Sequence, residues 1–428
     1  MAAVILFALF LLCVFVGVPI AVSMIAAAAA PILLFGEGGT VAQLLNNTFS
    51  GANSTPILAV PLFILGGVIM TEGGISRRLF DLFAYFAGRL RGGLPCAAIM
   101  TCLFYGAISG SGPATAAAVG AMVIPFLTEL GYDKAWCAGL VAVAGGLGVI
   151  IPPSIPFVLY ALATGTPTGQ LFIAGILPGV LIAVLLMAYA VLHCVRHGED
   201  RGKIEERMRE LDARGLGRLF KDSFWALLCP VVVLGGIYSG RFTPTEAACV
   251  SVLYALIISG LVYRSIGWRD IPSLLVSAVK SFAPLIFVLA FAVAFGRVLA
   301  LLRVTKAVEG FILGSFGSGL AVLTVLMLLF LALGTVMDTG PAIIILAPVF
   351  QPAVAVLGID AVHFGVVLVC CLAIGLSTPP FGLNLFTVSP IAGESETAVT
   401  KAAVPFILAF LSALLLITYI PALSTVLL

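Results

Sequence analysis

Apolar residues run along this chain in long continuous stretches, and the polar ones gather between the stretches instead of alternating within them. A helix needs about 20 apolar residues to cross a hydrocarbon core, so stretches of that length read as crossings. They are predicted near 4–34, 53–72, 135–163, 170–192, 223–240, 243–263, 274–296, 362–390 and 402–424. Two more stretches, about 94–127 and 321–356, carry small and polar residues at their centres. These are Ser109-Gly110-Ser111-Gly112-Pro113 and Gly334-Thr335-Val336-Met337-Asp338-Thr339-Gly340-Pro341. Each half is short for a crossing, which predicts two re-entrant hairpins with polar tips inside the protein.

The crossings at 135–163 and 362–390 are themselves interrupted, by Gly148-Val149-Ile150-Ile151-Pro152-Pro153 and by Gly375-Leu376-Ser377-Thr378-Pro379-Pro380. Proline removes a donor and clashes with the turn before it, and the residue preceding it leaves the helical region. Both segments are therefore predicted to be broken helices. Carbonyls freed in hydrocarbon persist only where protein, ions or water satisfy them. A polar break present in both halves of a membrane protein points to a transport site.

The halves share a spacing. Pro61 and Pro284, like Pro125 and Pro348, are 223 residues apart, while Gly131/Gly358, Asp133/Asp360, Gly148/Gly375, Pro152/Pro379 and Pro153/Pro380 are 227 apart. Four extra residues in one hairpin reconcile the offsets. Residues 1–192 then form one copy and 241–428 the other. Each has two helices, an amphipathic arm suited to the interface (75–91 or 298–315), a hairpin, a broken helix and a closing helix. Between them lie a charged stretch, 193–222, and one extra crossing, 223–240. An odd number of crossings between equivalent points turns the second copy upside down. The predicted fold is an all-α polytopic membrane protein of two inverted-topology repeats.

Composition adds that no soluble fold fits: 62% of residues are hydrophobic and 9% charged, with a mean hydropathy of +1.23. The net charge of +2 is dispersed over loops and gives no nucleic-acid surface. Residues 193–222 hold eight Lys/Arg and seven Asp/Glu and read as a solvated helical linker, with a regulatory docking surface as the alternative. Placing that linker in the cytoplasm leaves sixteen basic residues inside and four outside (Arg241, Arg297, Arg303 and Lys306), with Lys280 near a helix end. The N-terminus is then cytoplasmic and the C-terminus periplasmic. Residues from Val4 to Leu34 lack a charged leader and read as a retained crossing, not a cleaved signal.

Nine scattered cysteines without CxxC spacing suggest packing rather than disulfides or metal. His193 and His197 fall at a helix end and read as a solvated pair, and His363 has Trp136 as its repeat counterpart. Thr243-Pro244-Thr245-Glu246 fits a capping box with proline at the first helical position.

Chemistry is expected where the tips and breaks converge. Freed carbonyls with Ser and Thr hydroxyls make an oxygen cage for a small hard cation. Helix N-termini after the breaks suit an anionic substrate group. Ser109, Ser111, Thr115, Asp338, Thr339, Ser377, Thr378 and Asn384 are the side chains available. The hydroxyls have packing and capping as an equal alternative. Asp338 stands apart, because an intramembrane carboxylate is functional by default, its rival being a hairpin cap.

These residues resemble a known family. Gly73-Gly74-Ile75-Ser76-Arg77-Arg78-Leu79, Gly106-Ala107-Ile108-Ser109-Gly110-Ser111, Gly148-Val149-Ile150-Ile151-Pro152-Pro153-Ser154 and Phe242-Thr243-Pro244-Thr245-Glu246-Ala247-Ala248 are similar to the large membrane subunit of TRAP (tripartite ATP-independent periplasmic) transporters. So are His363-Phe364-Gly365 and Thr378-Pro379-Pro380-Phe381-Gly382-Leu383-Asn384. The resemblance extends over essentially the whole chain. It implies an elevator-type, sodium-coupled importer of organic acids in the bacterial inner membrane, in contact with membrane lipids. A periplasmic substrate-binding protein and a small four-helix membrane subunit are its implied partners, and this chain is one part of three. The implied coupling ions, two or more sodium ions, occupy two sites. One uses Ser109 and Ser111 with main-chain oxygens near Gly148, Ile151 and Pro153. The other uses Gly334, Gly375, Thr378 and the carbonyl near Phe381. Thr115, Ser154, Asp338, Thr339 and Asn384 are the candidate substrate-binding residues. Many relatives carry a carboxylate where this chain has Thr115.

The expected function is transport, not catalysis. A self-sufficient ion-coupled carboxylate transporter with similar repeats is the alternative. An intramembrane hydrolase pairing Ser109 with His363 finds no GxSG at the hairpin tip and no duplicated histidine.

Overall fold

The computed structural model of the protein describes residues 2–53, 55–315 and 318–428, and every regular element among them is helical. The chain opens with α1 (Ala2–Phe15) and α2 (Ile20–Phe35), which pack on each other. This corrects the single crossing expected over 4–34. Gly17 turns the chain at a φ of +87°, Pro19 caps α2, and the Ser23 hydroxyl donates to the carbonyls of Val18 and Pro19 at 3.2 Å each. A stretch that doubles back returns its first residue to the side of its last. The count that put the N-terminus opposite residue 36 therefore does not hold.

The α3 helix (Val41–Ala52) starts on a capping box of Thr40 and Gln43. Next comes α4 (Ala59–Glu72), which is shorter than the crossing expected at 53–72 and meets α5 (Ile75–Ala87) at a 67° bend. Gly74, at a φ of +67°, makes that elbow. Arg78 bolts it: the guanidinium donates to the Gly73 carbonyl at 2.7 Å and lies 3.8 Å over the Tyr263 ring.

The expected hairpin regions hold the pairs α6 (Gly93–Ser109) with α7 (Gly112–Glu129), and α16 (Gly319–Gly334) with α17 (Thr339–Val356). The first breaking motif lies between α8 (Lys134–Gly145), extended by a 3-10 turn at Gly146–Val149, and α9 (Ile155–Thr164). The chain continues through α10 (Thr168–His197), α11 (Arg201–Arg214), α12 (Leu216–Tyr238), α13 (Pro244–Leu256) with a π-helical end at Ile257–Val262, and α14 (Ile271–Leu301). Thr243 and Glu246 form the expected capping box on α13. After an αL break at Arg303 (φ +56°) come α15 (Val304–Ser315), α16 (Gly319–Gly334), α17 (Thr339–Val356) and α18 (Ala361–Gly375). The second motif separates α18 from α19 (Leu383–Ala392), and α20 (Glu396–Tyr419) and α21 (Ala422–Thr425) close the chain. The second arm thus begins at Val304, because α14 runs through Leu301. At 18 residues, or about 27 Å, α17 is long enough to cross by itself, against the expectation for each hairpin half. Among the described residues six helices are long and apolar enough to cross a membrane, or seven if α4 and α5 count as one bent span.

Helices α1–α4 and α12–α14 pack together as one body, and α6–α10 with α16–α21 as another. Within the second body the packing is reciprocal. The return leg of the first hairpin, α7, lies on α19, and the return leg of the second, α17, lies on α9. The arms bridge the bodies, α5 on α6 and α15 on α17.

The 193–222 stretch is helical over α11 and exposed along most of it, as expected of a solvated linker, but one face is docked and makes it a strap. Ile204, Met208 and Leu211 recur on one face of α11 and are buried. That face meets α5, while Arg89 pairs with Asp212 at 2.5 Å and Arg214 with Asp81 at 2.7 Å. Of the two histidines, His197 is exposed as expected, whereas His193 is half-buried, stacked between Trp136 and His197 with centroid distances of 4.6 and 4.1 Å. Replacing Ile204, Met208 and Leu211 together by serine should undock the strap. Trypsin cleavage between Arg201 and Arg218 is then expected to accelerate about tenfold over the parent protein, because local opening governs access.

Candidate functional site

The first hairpin tip is built around one hydroxyl. Ser109 ends α6 and Gly110 turns at a φ of +62°, which aligns the Ser109 Oγ with the Thr115 hydroxyl at 2.8 Å and the Ser111 carbonyl at 3.3 Å. Thr115 donates to the same Ser111 carbonyl at 2.8 Å. The breaking motif between α8 and α9 closes over this tip. A Cβ on Gly148 would lie 2.6 Å from the Ser111 oxygen, and one on Gly110 would lie 2.9 Å from the Pro153 carbonyl. Ser109, Ser111, Thr115, Gly148 and Pro153 are therefore gathered, with several oxygens in one small volume. Ile151 donates its N–H to the Leu147 carbonyl at 2.9 Å and turns its side chain toward Gly179 of α10.

The second tip is arranged the same way. A Cβ on Gly375 would sit 2.5 Å from the Gly334 carbonyl oxygen, so the tip and the second break touch backbone to backbone. Phe381 N–H donates to the Thr335 carbonyl at 3.2 Å, and the Thr378 hydroxyl donates to the Ile374 carbonyl at 2.8 Å. Gly334, Gly375, Thr378 and Phe381 are thus brought together, with the Phe381 ring exposed. The first site has a matching contact that the sequence did not single out: a Cβ on Gly106 would lie 2.7 Å from the Gly148 Cα. In each half, the outgoing leg of the hairpin crosses its own broken helix on a pair of glycines.

Between the two tips, where the bodies meet, lies a cavity of about 360 Å³. The first hairpin contributes Ser109, Gly110, Ser111, Pro113 and Ala114, and the second contributes Asp338, Thr339 and Gly340. Val149 and the first turn of α9 complete that side, and α4 (with Gly67 and Thr71) and α14 (with Ser281 and Pro284) form the facing wall. Pro113, Ile155 and Thr339 stand in the first turns of α7, α9 and α17, so three helix N-termini face the space. Their partial positive charge favours an anion, although Pro113 has no N–H and the Ile155 and Thr339 N–H groups are already bonded to Gly110 and Asp338. Asp338 is the single ionisable side chain on the lining among the described residues. Its Oδ1 also caps α17, accepting from the Thr339 N–H at 2.7 Å, so the carboxylate both caps the hairpin and faces the cavity.

Of the candidate substrate-binding residues, Asp338 and Thr339 line this cavity and three do not. Thr115 is fully buried behind Ser109. Ser154 caps α9, accepting from the Phe157 N–H at 3.3 Å and donating to the Val149 carbonyl at 2.5 Å, which commits its proton and one of its two acceptor positions. Asn384 is buried on the far side of the first tip, donating to the Ala142 carbonyl at 2.8 Å and to Ser377 at 3.3 Å. Its Oδ1 has no partner. His363 bonds Ser424 at 3.2 Å, and Ser109 bonds Thr115 and Ser111, so the pair needed for a hydrolase is not formed. Sequence reasoning missed the facing wall. Its signal was the Gly66-Gly67 pair inside an apolar run: a Cβ on Gly67 would stand 3.1 Å from the Ser109 Cα.

Comparison with known proteins matches residues 7–423 to the family described as tripartite ATP-independent periplasmic transporter, DctM component. The chain is similar to the isethionate TRAP transporter permease protein DctMQ of Oleidesulfovibrio alaskensis, at 41% identity over 98% of its own length. It spans 65% of that longer relative. It is 40% identical to the C4-dicarboxylate TRAP transporter large permease protein DctM of Pseudomonas aeruginosa, over 92% of this chain and 91% of that one. Among solved structures, Neisseria gonorrhoeae MtrF, from a class of antimetabolite efflux pumps, aligns over 88% of this chain and 83% of its own. The TM-score is 0.62 and the identity 13%, a likeness of fold alone.

The glycine crossings generate a direct test. Gly375→Ala places a methyl group against backbone that cannot yield, so it should destabilise the purified protein by about 1–3 kcal/mol. Gly217→Ala, inside α12 with nothing within 4 Å, should leave the thermal unfolding midpoint the same or slightly higher.

Proposed function

We propose, because the chain belongs to the DctM component family of the tripartite ATP-independent periplasmic transporters, that it carries an organic acid into the cell together with sodium ions. The observation that carries this is the cavity between the two bodies, lined by both hairpin tips and three helix N-termini. Its anion-binding potential comes from backbone, with no basic side chain on the wall among the described residues. Such a site accepts carboxylates or sulfonates of varied shape. Isethionate and C4-dicarboxylates, named for two relatives, are of that kind.

Each tip would hold one cation as co-transported cargo. At the first, Ser109, Ser111 and Thr115 supply hydroxyl and carbonyl oxygens against Gly148 and Pro153. Carbonyls without helical partners replace a hydration shell well when several point inward. At the second, Gly334, Gly375, Thr378 and the backbone near Phe381 do the same. Cations at both tips bring their charge to the edges of the cavity, and substrate then binds best when they are present. Coupling needs only that ions and substrate favour the same conformation. A net positive charge moving inward gains about 2.3 kcal/mol per 100 mV. At about 150 mV this gives roughly 3.5 kcal/mol, or a few-hundredfold accumulation.

The reciprocal packing of hairpins and broken helices supports two inverted repeats, and the division into two bodies bridged by arms supports an elevator. In this scheme α6–α10 and α16–α21 carry the cargo past α1–α4 and α12–α14, with α5 and α15 as connecting arms. The strap lies in the cytoplasm and the C-terminus in the periplasm. Since α1 and α2 double back, the N-terminus lies with residue 36 on the periplasmic side. A periplasmic binding protein delivers the acid, and a small membrane subunit completes the fixed body.

Uptake of acid into vesicles holding this chain, its small subunit and its binding protein should rise with external sodium. In the Ser109→Ala, Thr378→Ala double variant, the sodium needed for half-maximal uptake should increase about tenfold or more. Sodium dependence identical to the parent would sink the assignment of both cation sites.

A further inference from the structure

The first hairpin is fastened at its roots by a carboxylate that plays no part at the transport site. Glu199 follows α10, and its side chain is 2% exposed. Its Oε1 accepts from the Gly92 N–H at 3.1 Å and from the Tyr132 hydroxyl at 2.5 Å. Gly92 directly precedes α6 and Tyr132 follows α7, so one oxygen joins both roots of the hairpin. Its Oε2 lies 3.1 Å from Arg201, which donates to the Arg89 carbonyl at 3.2 Å, in the turn between α5 and α6.

The strap continues this fastening along its length. Arg207 stacks 5.2 Å from the Phe126 ring on α7, and Met208 packs on Gly88 at the end of α5. Asp212 and Arg214 pair with Arg89 and Asp81. Those last pairs are largely exposed and contribute little each. Glu199 is different: removing it leaves the buried Gly92 N–H and the half-buried Tyr132 hydroxyl without their acceptor, which is more expensive, while Arg201, 38% exposed, can turn to water. Burial, reinforced by the neighbouring carboxylate, pushes the Tyr132 phenol above its ordinary pKa, so it remains a donor. The strap is bounded by Gly198 and Gly215, at φ of +78° and +77°, where the chain can pivot without a Cβ penalty. The other end of α5 is tied to the opposite body by Arg78 on Tyr263 and by the Ser223 hydroxyl on the Arg78 carbonyl at 2.7 Å.

We infer that Glu199 is a positioning residue that clasps the roots of the first hairpin to α11 and α5, so that hairpin, strap and arm travel as one unit. The inference rests on the transport function proposed above. With the clasp closed, displacement of the moving body turns the arm about Gly73-Gly74 and the strap about Gly215. With it open, the roots splay and the arm no longer transmits the movement.

The test uses the full chain with its small subunit and binding protein in vesicles, and compares Glu199→Ala, Glu199→Gln and Tyr132→Phe. Glutamine keeps an acceptor oxygen for both donors and should hold uptake within about twofold of the parent. Alanine should lower the maximal rate about tenfold while the half-saturating acid concentration stays within about twofold. Amide hydrogen exchange at 90–93 and 130–133 should rise in the alanine variant and not in the glutamine variant. Should Glu199→Ala fail to assemble, Tyr132→Phe removes one donor and keeps the ring. Faster exchange at 130–133 with a rate reduced about threefold supports the clasp. Unchanged exchange at the roots, or raised exchange with undiminished uptake, overturns it. Parent uptake that ignores sodium would defeat the coupling proposed above, and the clasp would still stand or fall on exchange and maximal rate.

Discussion

The architecture depends on one constraint: a helix interrupted inside an apolar body frees backbone groups that something must satisfy. Both breaking motifs answer it with another piece of backbone. The Gly110 carbonyl accepts from the Ile155 N–H at 3.4 Å, and the Thr335 carbonyl accepts from the Phe381 N–H at 3.2 Å. Tip and break can approach this closely only because Gly106 meets Gly148 and Gly334 meets Gly375 without side chains. Glycine here is a packing residue: the absent Cβ lets peptide groups meet, and the oxygens left over at the contact are those assigned to the proposed cation sites.

The same constraint explains what was legible in the sequence. Pro152-Pro153 and Pro379-Pro380 in apolar runs leave no continuous helix, and the polar centres of 94–127 and 321–356 coincide with the gaps between α6 and α7 and between α16 and α17. Where backbone chemistry is punctuated by Gly and Pro, the pattern is decisive. Over 4–34 it is not, because Gly17 and Pro19 are each tolerated in crossings, and only the packing of α1 on α2 reveals a turn. The strap was misjudged for a related reason. Ile204, Met208 and Leu211 form a narrow stripe inside a segment whose average is strongly polar, and composition hid the periodicity.

Side-chain roles were less legible than backbone ones. Ser154 carries the same hydroxyl as Ser109 and Thr339, and Asn384 an equally polar amide, and nothing in their spacing says that a capping bond or a tertiary bond has already claimed them. A hydroxyl two residues from a tip becomes structural or functional according to which carbonyl lies nearest. That is settled by tertiary packing, which also supplies the wall of α4 and α14 opposite the tips.

Charge balance in the cavity follows from these parts. Each helix N-terminus is equivalent to roughly half a positive charge, so α7, α9 and α17 together offer about one and a half. An ionised Asp338 would offset most of that. An organic anion entering the cavity alone would meet a nearly neutral site, and a dianion would be left undercompensated away from water, where unpaired charge is costly. Cations at the two tips would supply the missing positive charge within the same body that holds the acid. Under the proposed coupling, a wall without basic residues would make the ions obligatory. A lysine or arginine there would hold the acid with no cation bound, and the bond between driving ion and cargo would be lost.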